Sequence, residues 1–226
     1  MATNQDRLVA TLATLGSLRT EVVLLGGAST QLLITDPAAA GAGPTDDVDL
    51  IVDCDAMGFH AFEARLRTRG FTQRPENDDP ICRWRRGDIK IDVVPIDEKL
   101  LGFSSRWYRH AWDTAEVHVV AGQEIRVVTA TMFVTTKLDA FDDRGGGDYQ
   151  RSKDLEDVVA VVDGRPELVD EVAHAPADVR AYLADRIGRL LADDAFVDAV
   201  DGHLAGDHQR LPIVVDRLRR RVALTR

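Results

Sequence analysis

The sequence predicts an α+β protein in which an N-terminal half of strands and helices is followed by a C-terminal half of helices. In the first half, short apolar or β-branched runs alternate with turn residues and with helical segments. After about residue 129, the helical spacing of apolar residues dominates. Of the 226 residues, 45% are hydrophobic and 29% are charged, a globular composition that argues against disorder. We therefore expect two domains, residues 1–128 and residues 129–226.

The predicted elements of the N-terminal half each have a local signal. The helix over residues 5–19 is indicated by four leucines at helical spacing. The helix over residues 56–69 ends at Gly70, a residue type that favours a helix C-terminus. The strands are apolar runs bounded by turn residues, and residues 36–44 form a loop rich in glycine and proline. Helices are predicted over residues 5–19, 28–35 and 56–69, and strands over residues 21–27, 47–53, 81–86, 87–96 and 124–128.

The C-terminal half is predicted to be helical almost to its end. A helix over residues 129–144 ends before Gly145, and a helix over residues 152–163 ends before Gly164. Further helices are predicted over residues 177–191, 194–204 and 211–223.

The net charge of the chain limits how it can bind nucleic acid. Acidic residues outnumber basic ones by 38 to 28, so the formal net charge is −10. A uniformly acidic protein does not bind nucleic acid through its overall field, so an RNA contact needs a local basic patch. The candidate patches are residues 106–110, which mix basic and aromatic side chains, and residues 217–226. The alternatives are a surface loop with an aromatic anchor for the first patch and pairing with surplus acids for the second.

The sequence also predicts a cytoplasmic protein without membrane contact. No apolar run approaches the 18 residues of a membrane span, and the N-terminus lacks the pattern of a signal peptide. Cys54 and Cys82 form no CxxC pair and match no zinc spacing, so we expect two single buried thiols. Trp84 is expected in the core rather than stacked on a base.

Asp47 and Asp49 are the most informative local feature. They lie two residues apart in a predicted strand (TDDVDL), so their side chains project from the same face, and Asp46 projects from the other. Two close carboxylates repel each other unless a positive charge lies between them. Carboxylates at this spacing suit Mg²⁺, although a solvent-exposed acidic strand end would have the same sequence.

Two further features extend this site. Asp92 lies within an apolar strand (IKIDVV), where an unpaired carboxylate would be costly to bury. We therefore expect this strand beside residues 47–53, with Asp92 joining the same metal site. Gly26, Gly27 and Ser29 follow a strand and open a predicted helix, which exposes backbone N–H groups and suits a phosphate. Tight packing of helix on strand would require the glycines equally often.

In this order, LLGGAST, TDDVDL and IKIDVV resemble the nucleotidyltransferase superfamily that shares the DNA polymerase β palm. The later TKLDA (136–140), Arg144 and KDLED (153–157) resemble the AbiEii-type nucleotidyltransferases, which are toxins of bacterial toxin–antitoxin pairs. The likeness spans roughly residues 20–165. It implies a mixed sheet with flanking helices, followed by a helical bundle that contributes to the active site.

The resemblance also implies a reaction and its metal. A nucleoside monophosphate would be transferred from an NTP, such as ATP, to an acceptor hydroxyl, with one or two Mg²⁺ ions held by Asp47, Asp49 and Asp92. Asp92 would also help to deprotonate the acceptor. The implied acceptor is RNA, tRNA in particular, and a cognate antitoxin is the implied partner. An antibiotic or protein acceptor, and a non-catalytic binding role, are the alternatives.

The remaining site residues follow from the same resemblance. Gly26, Gly27 and Ser29 would bind the terminal phosphates of the NTP. Thr45 would bond a phosphate or the Asp47 region, although a threonine that merely begins a strand would have the same sequence. Lys137 would neutralise phosphate charge, and Asp154 would belong to the active site. The alternative for each is a solvated charge on the exposed face of its helix. Arg144 would contact the nucleotide, although it is equally suited to the C-terminal dipole of its helix.

Overall fold

The computed structural model describes residues 3–74, 79–144, 147–204 and 206–223, and the chain divides into two compact units. The first unit contains Met1–Ser29 and Pro44–Thr129, and the second contains Thr30–Gly43 and Ala130–Arg226. The sequence-based division at residue 128 places residues 30–43 in the first domain, whereas their contacts place them in the second unit. The backbone N–H groups of Thr35 and Asp36 both donate to the carbonyl of Gly164.

The first unit contains a mixed six-stranded sheet. Its strands are β1 (Val23–Leu25), β2 (Val48–Val52), β3 (Arg83–Arg86), β4 (Ile89–Pro95), β5 (Glu116–Val120) and β6 (Gln123–Val127). Their order in the sheet is β3-β4-β2-β1-β6-β5. β2 and β4 pair in parallel, as do β1 and β6, and the other neighbours are antiparallel. The predicted α+β class and mixed sheet are confirmed.

The helices of the first unit are α1 (Asn4–Leu15), α3 (Ala56–Thr68) and α4 (Tyr108–Asp113) in its described part. Thr3 and Asp6 form a capping box at the start of α1, in which each side chain accepts from the other residue's backbone N–H. These caps satisfy donors that have no partner within a helix.

The second unit is helical. Its helices are α2 (Thr30–Leu33), α5 (Ala130–Asp143), α6 (Lys153–Gly164), α7 (Leu168–His174), α8 (Ala177–Leu191), α9 (Asp194–His203) and α10 (Leu211–Ala223). α6 begins after Ser152, whose hydroxyl accepts from the backbone N–H of Leu155. The core of this unit is formed by the apolar faces of α5, α6, α8 and α10, with Phe133, Leu138 and Val162 fully buried.

The structure differs from the sequence prediction in several elements. β1 spans three residues, whereas a strand is predicted over residues 21–27. The sequence analysis omits α4, β5 and α7, which are short. The predicted helix over residues 28–35 is also wrong in extent, because α2 spans four residues and follows a 3₁₀ turn over Gly27–Ser29. In that turn, the backbone N–H and the hydroxyl of Ser29 both donate to the carbonyl of Gly26.

The burial of Trp84, which is 1% exposed, confirms its predicted place in the core. Both cysteines are free; Cys82 is buried as predicted, whereas Cys54 is only partly buried. Among the helices that the structure describes, none is long and apolar enough to cross a membrane.

Candidate functional site

Three carboxylates lie on one face of the sheet. Asp49 in β2 is the direct partner of Asp92 in β4, and paired residues of adjacent strands project from the same face. Asp47 precedes β2 by one residue, and its side chain shares a bonding partner with that of Asp92. We call these three side chains the acidic triad. The two strands thus lie side by side, as the sequence analysis expects.

A guanidinium group lies between two members of the acidic triad. Nε of Arg83 donates to Oδ1 of Asp92 at 2.8 Å, and Nη2 donates to Oδ2 of Asp92 at 2.8 Å and to Oδ2 of Asp47 at 2.6 Å. The hydrogen bonds to Asp92 raise the pKa of Arg83 further above its usual range, so the side chain stays charged. Arg83 therefore offsets one of the three negative charges.

The position of Arg83 follows from the β3–β4 hairpin. Arg86 pairs with Ile89 around a two-residue turn, and three residues further from the turn Arg83 pairs with Asp92. The turn contains Gly87 with a φ of +55°, which suits glycine in a two-residue hairpin. The sequence analysis does not include Arg83. The RGDI segment holds the signal, because counting outward from this turn places Arg83 opposite Asp92.

Gly26 lies against the third carboxylate. It has a φ of +69°, and a Cβ atom on it would lie 1.8 Å from Oδ2 of Asp49. Leu25, its neighbour in β1, is the strand partner of Asp49. Gly26 is thus required by close packing on Asp49. Gly27 and Ser29 are buried, and the Ser29 hydroxyl donates to the Gly26 carbonyl at 2.8 Å.

Thr45 supports the acidic triad from the adjoining loop. Its hydroxyl donates to Oδ1 of Asp47 at 3.2 Å, and its backbone N–H donates to Oδ1 of Asn4 at 3.1 Å. Asp46 points away, with a side chain that is 83% exposed and 3.6 Å from the guanidinium of Arg7. Of the interpretations open for Thr45, the structure shows the contact with Asp47.

The second unit contains a cluster of charged side chains. Nζ of Lys137, on α5, lies 2.7 Å from Oδ2 of Asp157 and 3.1 Å from Oδ1 of Asp154, both on α6. The guanidinium of Arg144 bonds the other oxygen of Asp154. The hydroxyl of Thr30 donates to Asp157 at 3.3 Å. The structure therefore brings together the predicted Lys137, Asp154 and Arg144.

Asp157 is the member of this cluster that the sequence analysis leaves out. Asp154 and Asp157 are three residues apart on α6, so their side chains share one helix face. Both are buried, and the Lys137 side chain is 13% exposed. A buried carboxylate requires a charged or hydrogen-bonded partner, which Lys137 supplies to both. The available signal is the KDxxD spacing, together with a preceding helix that has a central lysine.

The acidic triad offers carboxylate oxygens as possible metal ligands, but the side chains are not arranged as a metal site in the structure. Mg²⁺ prefers carboxylate oxygens, and the guanidinium of Arg83 shows that a positive charge is accommodated between Asp47 and Asp92. Within the described ranges, no group of three or more His, Cys, Asp or Glu side chains is arranged to hold a metal ion. With the side chains as they stand, the cation between Asp47 and Asp92 is Arg83.

The two basic patches are partly engaged in ion pairs. Arg109 makes two 2.7 Å bonds to Asp53, and Trp107 is buried with the guanidinium of Arg106 over its ring at 4.7 Å. Residues 108–113 form α4, so the alternative of a surface loop does not hold for that part of the patch. In the second patch, Arg220 pairs with its neighbour Asp216, and residues 224–226 lie outside the described part of the chain. RNA binding by either patch stays a prediction.

Comparison with known proteins supports the fold. The chain is similar to the crystal structure of an antigenic nucleotidyltransferase-like protein from Paracoccidioides brasiliensis, with a TM-score of 0.50 and 17% sequence identity. The match covers 88% of this chain and 92% of that chain. The protein therefore has a nucleotidyltransferase-like α+β fold. No model of a known protein family matches the sequence, and neither does any curated protein. The AbiEii-type assignment stays a prediction from the motifs.

Proposed function

We propose that the protein is a Mg²⁺-dependent nucleotidyltransferase that transfers a nucleoside monophosphate from an NTP to an acceptor hydroxyl. The observation that supports this proposal most is the pairing of Asp49 with Asp92 in adjacent parallel strands. On a nucleotidyltransferase-like fold, this pairing brings the predicted carboxylates onto one sheet face. Mg²⁺ would be held by Asp47, Asp49 and Asp92.

The chemistry requires positioning and neutralisation of charge more than covalent help from the protein. When bound, Mg²⁺ supplies positive charge that stabilises the attacking and leaving oxygens. A bond forms between the acceptor oxygen and the α-phosphorus, and the bond from that phosphorus to the pyrophosphate leaving group breaks. Asp92 accepts the proton of the acceptor hydroxyl. Asp47 and Asp49 would hold the Mg²⁺ ion against the triphosphate.

The Gly-Gly turn contributes by fixing Asp49. Because the backbone at Gly26 fills the space beside this carboxylate, Asp49 has little freedom to turn away from the sheet face. Gly27 and Ser29 are assigned to the terminal phosphates of the NTP by the resemblance. That assignment requires the Ser29 hydroxyl to exchange its bond to the Gly26 carbonyl for a phosphate oxygen.

The resemblance also assigns Lys137, Asp154 and Arg144 to this reaction. Within the second unit, Lys137 is a partly buried ammonium group held by two carboxylates. These contacts hold the charged amine at one position, and a phosphate would have to compete with the two carboxylates for it. The same contacts also join α5 to α6, so Lys137 has a structural role as well.

We further propose that the acceptor is tRNA and that the protein acts as the toxin of a toxin–antitoxin pair. This part of the proposal depends on the AbiEii-type motifs alone. To test it, the purified protein is incubated with each α-phosphate-labelled NTP and Mg²⁺, together with total RNA, an aminoglycoside or no added acceptor.

Label on tRNA supports the full proposal. Label only on the protein or on the small molecule supports nucleotidyl transfer but contradicts tRNA as the acceptor. Absence of label from every acceptor, together with unchanged thermal unfolding in Mg²⁺ and NTP, would leave only the non-catalytic binding role.

A further inference from the structure

All four carboxylate oxygens of Asp47 and Asp92 accept a hydrogen bond. Three of these bonds come from the guanidinium of Arg83, and the fourth comes from the hydroxyl of Thr45 to Oδ1 of Asp47. Two of the three proposed metal ligands are therefore already bonded to a side-chain cation. Because the guanidinium has fixed donors and no accessible neutral form, it cannot relinquish its charge when a second cation approaches.

We propose that Arg83 is a built-in counter-ion that a divalent cation has to displace from Asp47 and Asp92. This inference rests on the proposed function, because it takes these carboxylates as metal ligands. Arg83 is a positioning residue here. It keeps the two carboxylates side by side in the cation-free protein and lowers their affinity for a metal ion that arrives alone.

The physical reason is competition for the same oxygens. Without a cation, Asp47 and Asp92 would repel each other, so Arg83 stabilises the arrangement that the metal later uses. A metal ion that enters must either break two or three charge-assisted hydrogen bonds or tolerate a positive neighbour. A metal ion bound to a triphosphate carries compensating negative charge, so Arg83 opposes the metal–NTP complex much less than the free ion.

Arg85 offers a matched control on the same strand. It is about as exposed as Arg83, with side-chain exposures of 22% and 19%, and it also bonds a carboxylate through two nitrogens. Its partner is Asp79, at 2.6 Å for both bonds, instead of a member of the acidic triad. Replacing either arginine therefore removes one bidentate ion pair from β3, but only one replacement frees proposed metal ligands.

The experiment measures binding of Mn²⁺, without nucleotide, by electron paramagnetic resonance of the free ion. We expect Arg83→Gln to bind Mn²⁺ about tenfold more tightly than the wild type, because a competing cation is gone. Arg85→Gln is expected to bind like the wild type. Adding Asp92→Asn to Arg83→Gln removes the gain. If Arg83→Gln does not fold, Arg83→Lys is used, because an ammonium group cannot bridge three oxygens in the same way, and a smaller gain is expected.

The outcomes separate this inference from the proposed function. Unchanged or weaker Mn²⁺ binding in the Arg83 variant overturns the inference, whether or not the wild type transfers nucleotides. No Mn²⁺ binding in any variant overturns both the inference and the metal site. If Arg83→Gln binds Mn²⁺ more tightly but the wild type transfers no nucleotide to any acceptor, the counter-ion role of Arg83 is supported. Only the proposed enzymatic function is then overturned.

Discussion

A Cβ atom on Gly26 would lie 1.8 Å from Oδ2 of Asp49, so the Asp49 side chain occupies the space that a side chain at position 26 would need. Gly26 belongs to the glycine turn after β1 and Asp49 to β2, and their strands pair directly. The glycine motif is thus explained by the carboxylate beside it. This relationship links a backbone requirement at Gly26 to the proposed metal ligand Asp49.

Gly26→Ala should lower the free energy of unfolding by about 2 kcal/mol or more, because the new methyl group meets Asp49 at a positive φ. Gly122→Ala is the matched control, since Gly122 has a φ of +77° but a Cβ atom on it would meet no heavy atom of the described residues within 4 Å. It should cost only the strain of the backbone, about 1 kcal/mol. Urea unfolding of both variants measures the difference, and equal losses would show that Asp49 is not displaced.

Lys137→Met should destabilise the second unit by about 3 kcal/mol, because it leaves Asp154 and Asp157 buried without their shared cation. Lys153→Met is the control; its pair with Glu156 is largely exposed, and its loss should cost at most about 1 kcal/mol. Thermal or urea unfolding compares the two.

Lys137→Arg separates the catalytic role from the structural one. It keeps the positive charge, so a purely structural lysine predicts near-normal stability and normal transfer. A lysine that binds phosphate at a fixed point predicts near-normal stability with reduced transfer. Reduced transfer at unchanged stability would support substrate binding by Lys137, whereas a loss of transfer that parallels a loss of stability would indicate a structural role.

The thiols should react slowly with alkylating reagents while the protein is folded. Burial, followed by the negative charge of Asp92, raises the pKa of Cys82 from 9.0 to about 12. Burial also raises the pKa of Cys54. At pH 8, iodoacetamide should modify Cys82 much more slowly in the folded than in the unfolded protein, because the thiolate is the reactive form.

The same shift predicts a pH dependence of stability. The pKa of Cys82 is higher in the folded state, so its contribution is fully present below pH 9.0 and is lost as the pH rises towards about 12. Cys82→Ser, which does not titrate in this range, should reduce the loss of stability above pH 9. An identical decline in both proteins would show that other groups cause it.

The outer edge of β5 should promote self-association. Val117 and Val119 are 64% and 68% exposed on the strand at the end of the sheet order, where no further strand of the described residues pairs with it. Val119→Lys should reduce aggregation at high concentration and leave the melting temperature unchanged, because a charge on an edge strand opposes pairing with another chain. Val120→Lys, at a buried position of the same strand, should instead destabilise the fold. Light scattering and thermal unfolding distinguish these results.

Much of the candidate site can be predicted because its signals are local. Asp47 and Asp49 share a face by strand periodicity, and the apolar surroundings of Asp92 indicate a partner strand. Arg83 escapes prediction because its role depends on hairpin register, which only the two-residue turn reveals. Asp157 escapes it because a charged helix face is usually solvated, and only the position of α5 shows otherwise.

The parts of the fold that escape prediction depend on long-range contacts. Nothing local shows that residues 30–43 belong with the helices; the backbone bonds of Thr35 and Asp36 to Gly164 decide this across more than a hundred residues. β5 is missed because Val117 and Val119 face outward, which reverses the usual pattern of a half-buried strand. The short α2 reflects the hydrogen bonding of Ser29 to Gly26 within the preceding turn.

The most direct test of the central claim is transfer of an α-phosphate label from NTP to total RNA by Asp49→Asn and Asp88→Asn. The first change removes one charge from the acidic triad, and the second removes one from the exposed turn between β3 and β4. We predict that Asp49→Asn loses transfer by about a hundredfold or more while Asp88→Asn keeps it, with both proteins folded. Full transfer by a folded Asp49→Asn would contradict the proposed metal site.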